Sequence, residues 1–232
     1  MVIAPSESDP FTDDHHADPP SPVESLLPDY TAAAHIPPPS LPPNYNLIER
    51  PTAPRIYTFS SWSRNSMFLL PSRDVDRTRT PIYNIAVGLN LDPFVPLSYV
   101  TTVRRGVDEE GEVVGEFELA VMHTRAILKM GTHSTRMSNV LKKDGHSSRK
   151  FLWAYGDVEL RWDCRTTLED GSPMCICTDR GSHQVASFVP PPLEASPPLP
   201  AATLTVFPDG HELFDHILMS ALVVERKITL SI

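Results

Sequence analysis

Asp209-Gly210-His211-Glu212-Leu213-Phe214-Asp215-His216-Ile217-Leu218-Met219-Ser220-Ala221-Leu222-Val223-Val224-Glu225-Arg226-Lys227 reads as one helix over about 210–227 that needs a shell around it. Asp209 and Glu212 have the spacing of a capping box, and Pro208 separates them from the segment before. Acidic Glu212 and Asp215 occupy the first turns, basic Arg226 and Lys227 the last, as the helix dipole favours. Between them, from Leu213 to Val224, apolar residues cover nearly every face. Such a helix is buried in a large core or spans a membrane. A bilayer requires roughly 20 apolar residues, and this run is shorter, so the reading is a core plug with no transmembrane segment.

The shell must come from the residues before it. Arg55-Ile56-Tyr57-Thr58-Phe59-Ser60 alternates as a half-buried strand does, and Ser66 to Leu70 is a second. Arg73 to Thr80 reads as a loop and Pro81 to Val87 as a strand, with the chain turning over Leu89 to Pro96. Ser98 to Arg104 is rich in β-branched residues and follows as a strand. In Glu112 to Val121, Val113, Phe117, Leu119 and Val121 share one face while Glu112, Glu116 and Glu118 share the other. A hairpin is expected around Tyr155-Gly156-Asp157, with strands at Met174–Thr178, Gln184–Val189 and Ala202–Phe207. Ile228 to Ile232 is open between a short strand and a frayed end. Roughly ten strands with short links predict a mainly β fold, an antiparallel sheet closed around the C-terminal helix.

Composition divides the chain. Residues 1–54 hold about half of the 25 prolines, eight acidic residues and a single basic one, Arg50, and so carry −7 of the formal −9. That stretch is too poor in large apolar residues to bury a core, and predicts a disordered acidic arm. Residues 55–232 suffice for one domain and are almost neutral, which argues against a dedicated nucleic-acid binder. No basic start with an apolar h-region is present, Val2 rules out myristoylation, and three cysteines suit a reducing compartment. The expectation is an intracellular, cytoplasmic protein, with peripheral attachment to membranes as its alternative setting.

Several of these segments, taken in order, carry a resemblance. They are Pro81-Ile82-Tyr83-Asn84-Ile85, Gly111-Glu112-Val113-Val114-Gly115-Glu116-Phe117, Arg149-Lys150-Phe151-Leu152-Trp153, Leu160-Arg161-Trp162 and Val185-Ala186-Ser187-Phe188. The last is the helix from Phe214 to the Val224-Glu225-Arg226 at its end. Over about residues 55–230 the chain resembles a fungal, mostly basidiomycete, family of unknown function (domain of unknown function 6593) in the tubby C-terminal-like superfamily. The resemblance implies a closed antiparallel barrel threaded by a hydrophobic helix. It implies no activity, because fold does not carry function with it. The cysteine cluster of scramblases is not visible, and no basic pair matches a tubby phosphoinositide site.

Two constellations point to binding. In the arm, Pro42-Pro43-Asn44-Tyr45 is a full Pro-Pro-x-Tyr sequence, and Leu27-Pro28-Asp29-Tyr30 is a weaker Leu-Pro-x-Tyr form. A prolyl segment is already extended and loses little entropy on docking, while the tyrosine anchors a second pocket. This is similar to the PY motif read by WW domains, including those of HECT-type ubiquitin ligases, and two copies gain through effective concentration. In the folded part, Arg136, Lys142, Lys143, His146, Arg149 and Lys150 form the only basic cluster, in an expected loop. Anionic phospholipid is the partner such a cluster attracts, at about 1 kcal/mol per basic residue near the surface.

Catalytic and metal chemistry find little. Cys175 and Cys177 share a strand face, near Cys164 and His183 in sequence, but a zinc site needs four converging ligands. His15 and His16 among Asp13, Asp14 and Asp18 suit a solvated arm better than a metal site. No nucleophile elbow, P-loop, zinc-protease helix or dinucleotide fingerprint occurs. The expectation is a non-enzymatic adaptor without metal or cofactor, its arm presenting PY motifs, with a lipid-binding barrel as the alternative.

Overall fold

The computed structural model describes residues 51–73, 76–91, 97–120, 126–192 and 199–229. The chain divides into two units, Met1–Tyr45 and Asn46–Ile232. The first lies outside the described residues, and with it Leu27, Pro28, Tyr30, Pro42, Pro43 and Tyr45.

The second unit is one antiparallel sheet of thirteen strands and a C-terminal helix. The strands are β1 (Arg55–Phe59), β2 (Ser66–Pro71), β3 (Tyr83–Asn90), β4 (Ser98–Arg105) and β5 (Val113–Ala120). Then come β6 (Ile127–Met130), β7 (His133–Arg136), a single helical turn α1 (Met137–Val140) and β8 (Leu141–Lys143). They are followed by β9 (Lys150–Tyr155), β10 (Val158–Thr167), β11 (Pro173–Asp179), β12 (Gln184–Val189) and β13 (Thr203–Val206). A 3-10 turn, Pro208–Leu213, leads into α2 (Phe214–Thr229). In the sheet the order is β7-β6-β5-β4-β3-β2-β1-β13-β12-β11-β10-β9-β8, so β7 and β8 are its edges.

Chain connectivity forces this sheet to curl. Laid flat, thirteen strands would put the edges about 58 Å apart. Arg136 and Leu141, which end one edge strand and begin the other, are five residues apart and at most about 18 Å distant. The sheet is nevertheless not closed, which corrects the expected barrel: among the described residues no ladder joins β7 to β8. The α1 turn lies between them, burying Met137 and Val140 and hydrogen-bonded from Met137 N to Ala126 O at 2.8 Å. Tyr155 of β9 adds a side-chain bridge toward β6 and β7. Its hydroxyl accepts from Met130 N–H at 3.2 Å and has the Met130 and His133 carbonyls at 3.0 and 2.9 Å to receive its proton.

The helix is the plug that its sequence predicts. Ile217 through Val224 are all buried, as is Ile228, against Leu69, Ile85, Val103, Phe117, Trp153 and their neighbours. The single polar side chain in that run, Ser220, accepts from Trp162 Nε1–H at 3.0 Å and donates to Ile217 O at 3.1 Å. An unsatisfied hydroxyl there would cost about 1–3 kcal/mol. Two glycines let the backbone come close. A Cβ on Gly210 would stand 2.2 Å from Val185 O, and one on Gly115 would stand 2.8 Å from both Lys129 O and the Met219 side chain.

Other readings change in detail. The start is not a capping box: Phe207 is the N-cap of the 3-10 turn and makes no side-chain cap bond, because Pro208 begins the turn before Asp209. α2 continues to Thr229, so Ile228 is helical; residues 230–232 lie outside the described residues. Val113 is exposed and Val114 buried, because a bulge opposite Val103 and Arg104 shifts the strand's alternation by one. Leu89 belongs to β3 rather than to a turn. The stretch read as a loop around Lys142 holds α1 and β8, whose four and three residues are too few for periodicity to show.

Candidate functional site

The antiparallel ladders fix which connections share a rim of the curled sheet. The turns between β4 and β5, β9 and β10, and β11 and β12 lie at the rim where α2 begins. Those between β1 and β2, β3 and β4, β8 and β9, and β10 and β11 lie at the other, here the far rim.

At the helix-start rim a polar cluster fastens α2 to the sheet. The Tyr83 hydroxyl donates to Asp215 Oδ1 at 2.6 Å, and Arg105 donates from Nη2 to Asp215 Oδ2. Arg105 also pairs with Glu112 at 3.3 Å and lies 5.8 Å from the Tyr83 ring centroid. Phe214 packs between the rings of Tyr57 and Tyr83, at 4.9 and 5.4 Å. Burial first, then the Asp215 charge, pushes the Tyr83 phenol far above its ordinary pKa; burial does the same more mildly for Tyr57. His211, beside Tyr57 and Phe214, is held below its usual pKa by burial and then by Arg55. His216, against Tyr155, is lowered by burial, with Asp215 acting the other way. His211 Nε2 and His216 Nδ1 are buried and have no hydrogen-bond partner. The cluster is tied to the fold: Asp215 is bonded to the sheet through Tyr83 and Arg105, while His216 makes a ring contact with Tyr155.

The thiols are core. Cys164, Cys175 and Cys177 are free and fully buried, and Cys175 and Cys177 face the same way. The hydrogen bond with Cys175, then burial, raises Cys164; burial raises Cys177. A thiol held protonated is neither nucleophile nor ready ligand. Among the described residues no group of three His, Cys, Asp or Glu side chains is placed to hold a metal ion. His15 and His16 lie outside those residues.

The far rim carries the basic cluster. Asp144 N–H donates to Lys150 O at 2.9 Å, and Gly145 at φ +70 turns the chain between β8 and β9. Lys142 and Lys143 are exposed on β8, and Arg149 is half-buried where the hairpin returns. Lys150 begins β9 and is engaged by Asp163 at 3.6 Å, whose other partner is Arg165 at 2.7 Å. Arg136 is exposed at the end of β7, before α1. Four of the five predicted lipid-contacting residues, Arg136, Lys142, Lys143 and Arg149, thus have no ion pair among the described residues; Lys150 does. Arg136 ends one edge strand of the sheet and Lys142 lies in the opposite edge strand, with the α1 turn between them.

No curated protein and no solved structure matches this chain. The model of a family of unknown function, DUF6593, matches residues 70–229, from β2 to the last turn of α2, and the chain belongs to that family.

Proposed function

We propose that the protein is a non-enzymatic binding protein, intracellular, whose folded unit attaches to anionic phospholipid surfaces through the β8–β9 hairpin. The observation that supports this reading is the exposed Lys142-Lys143 pair, flanked by Arg149 and Arg136, with no carboxylate tying them among the described residues. We place the family, with its fungal members, among the tubby C-terminal-like proteins on the order of its motifs and the buried C-terminal helix; the open β7–β8 edge is where this chain departs from a closed barrel. Four basic residues at about 1 kcal/mol each supply about 4 kcal/mol, equivalent to a dissociation constant of about 1 mM. Charge alone is therefore a weak anchor. The test is sedimentation of the full chain with phosphatidylcholine–phosphatidylserine vesicles. Binding should fall as salt rises and drop further in Lys142→Glu/Lys143→Glu; no binding at low salt would end the reading.

A second reading rests on Pro42-Pro43-Asn44-Tyr45, reinforced by Leu27-Pro28-Asp29-Tyr30: the arm presents PY motifs to a WW-domain partner, such as a HECT-type ubiquitin ligase. A labelled peptide spanning Ser21 to Arg50 should bind WW domains saturably, and Tyr45→Ala should abolish most of it. Flat titrations would remove the arm's role.

A further inference from the structure

The inner face of the β3–β4 hairpin runs past the helix that covers it. Within the sheet, Ile85 and Val103 are completely buried against the core. Further toward the far rim on the same face, exposure rises to 43% at Leu89 and 55% at its cross-strand neighbour Tyr99, then to 77% at Leu91 and 60% at Leu97. The next hairpin along the sheet, β1–β2, presents Trp62, 50% exposed, beside exposed Arg64, and is tied to β3 by Val87 N–H donating to Asn65 O at 2.8 Å. Of the eleven exposed large apolar side chains among the described residues, only Ile56, Val107 and Val113 lie toward the helix-start rim; the other eight are at the far rim. Large apolar side chains exposed mostly on one rim mark an interaction site more readily than ones scattered over the whole surface.

Charge says what it meets. The same rim carries the exposed basic residues Arg64, Lys142 and Lys143. Its carboxylates are partly engaged: Asp163 by Arg165 and Lys150, Asp170 by Ser172, and Glu118 by Ser98, while Asp144 and Glu169 are exposed with no ion pair among the described residues. Leucines at the far ends of β3 and β4, an indole and a phenol on the same rim, and cations elsewhere along it match the layers of a bilayer, from acyl chains through interface to anionic headgroups. A protein partner could fill the apolar face, but it would not explain why Arg64, Lys142 and Lys143 are exposed on the same rim.

We infer that the far rim is a membrane-penetrating edge, in which Leu89, Leu91, Leu97 and Tyr99 of the β3–β4 hairpin and Trp62 of the β1–β2 turn enter the leaflet that faces the protein, beneath the headgroups contacted by the β8–β9 hairpin. This rests on the anionic-surface reading and extends it: the basic residues bring the protein to the bilayer, and the apolar rim holds it there.

The native tryptophans make the test direct, since Trp153 and Trp162 are buried and Trp62 is exposed. Full-length protein is titrated with phosphatidylcholine–phosphatidylserine vesicles, with and without bromine on the acyl chains. The expected result is a blue shift of Trp62 emission and quenching by the brominated chains, both absent in Trp62→Phe. Leu97→Trp in that background should restore the quenching. Leu91→Asp/Leu97→Asp should weaken binding at least about tenfold, from loss of buried leucine surface, while leaving its salt dependence in place. Salt-sensitive binding without quenching at either position would overturn the inference and leave headgroup attachment standing. Absence of any vesicle binding would remove both. A concentration-dependent dimer abolished by the double aspartate variant would overturn it as well, making the rim a contact between copies.

Discussion

The two rims of the sheet use similar residues to opposite ends. At the helix-start rim, aromatic and charged side chains are turned on one another: Phe214 between Tyr57 and Tyr83, Asp215 between Tyr83 and Arg105. At the far rim, Trp62, Tyr99, Leu89, Leu91 and Leu97 are among the exposed residues, and Lys142 and Lys143 have no ion-pair partner among the described residues. The first arrangement stabilises the fold. The second contributes little to it, and surface that contributes little to stability is free to serve binding.

That contrast is sharpest in the helix itself. Leu218→Ala removes a fully buried side chain from a plug that the sheet surrounds, and should destabilise the protein by about 2–5 kcal/mol in chemical denaturation. A smaller value would mean that the curled sheet can collapse onto the cavity. Next in size is the clamp. Asp215→Ala leaves the Tyr83 hydroxyl without its acceptor and Arg105 with Glu112 as its one ion-pair partner among the described residues, and should lower stability by about 2 kcal/mol; Tyr83→Phe, which keeps the ion pair, should cost about 1 kcal/mol. Equal losses from the two variants would show that Arg105 adds nothing.

Much of this division could be read in the chain, though unevenly. Helix α2 was legible because eight consecutive buried residues admit no solvent face, and the strands from β9 to β13 because most of each alternates. The edge was not. β7 is His133-Ser134-Thr135-Arg136 and β8 is Leu141-Lys142-Lys143, segments too short and polar to carry a pattern, and they become strands only because β6 and β9 offer them ladders. Closure failed as an expectation for the same reason: whether β7 and β8 pair depends on the α1 turn between them. The basic cluster was visible as composition. The apolar rim was hidden by reading Leu89 to Pro96 as a turn, yet Leu89 and Tyr99 keep the parity of Ile85 and Val103. That parity was the available signal.

Acidification tests the helix-start rim without a mutation. Burial holds His211 and His216 below the ordinary histidine pKa of about 6.5, so the unfolded chain takes up their protons more readily. Their contribution is intact above the unfolded pKa and declines as pH falls below about 6.5 toward the folded values. Glu225, whose carboxyl is raised by burial, acts in the opposite sense, losing stability as pH rises through its own range. Denaturation midpoints should therefore fall between about pH 7 and about pH 5, and the fall should flatten in His211→Gln/His216→Gln. A flat wild-type profile would mean that these rings titrate freely.

The far rim should give the smallest change in stability. Leu91→Asp/Leu97→Asp places charges where both side chains already face solvent, so unfolding free energy should move by no more than about 0.5 kcal/mol per substitution. The result matters because the same variant is the one expected to weaken vesicle binding. If stability holds while binding falls, the leucines belong to a contact that the isolated fold does not make. If stability falls by as much as it does for Leu218→Ala, the hairpin tip is packed in solution. The contrast between a rim that is tied together and one left open would then disappear.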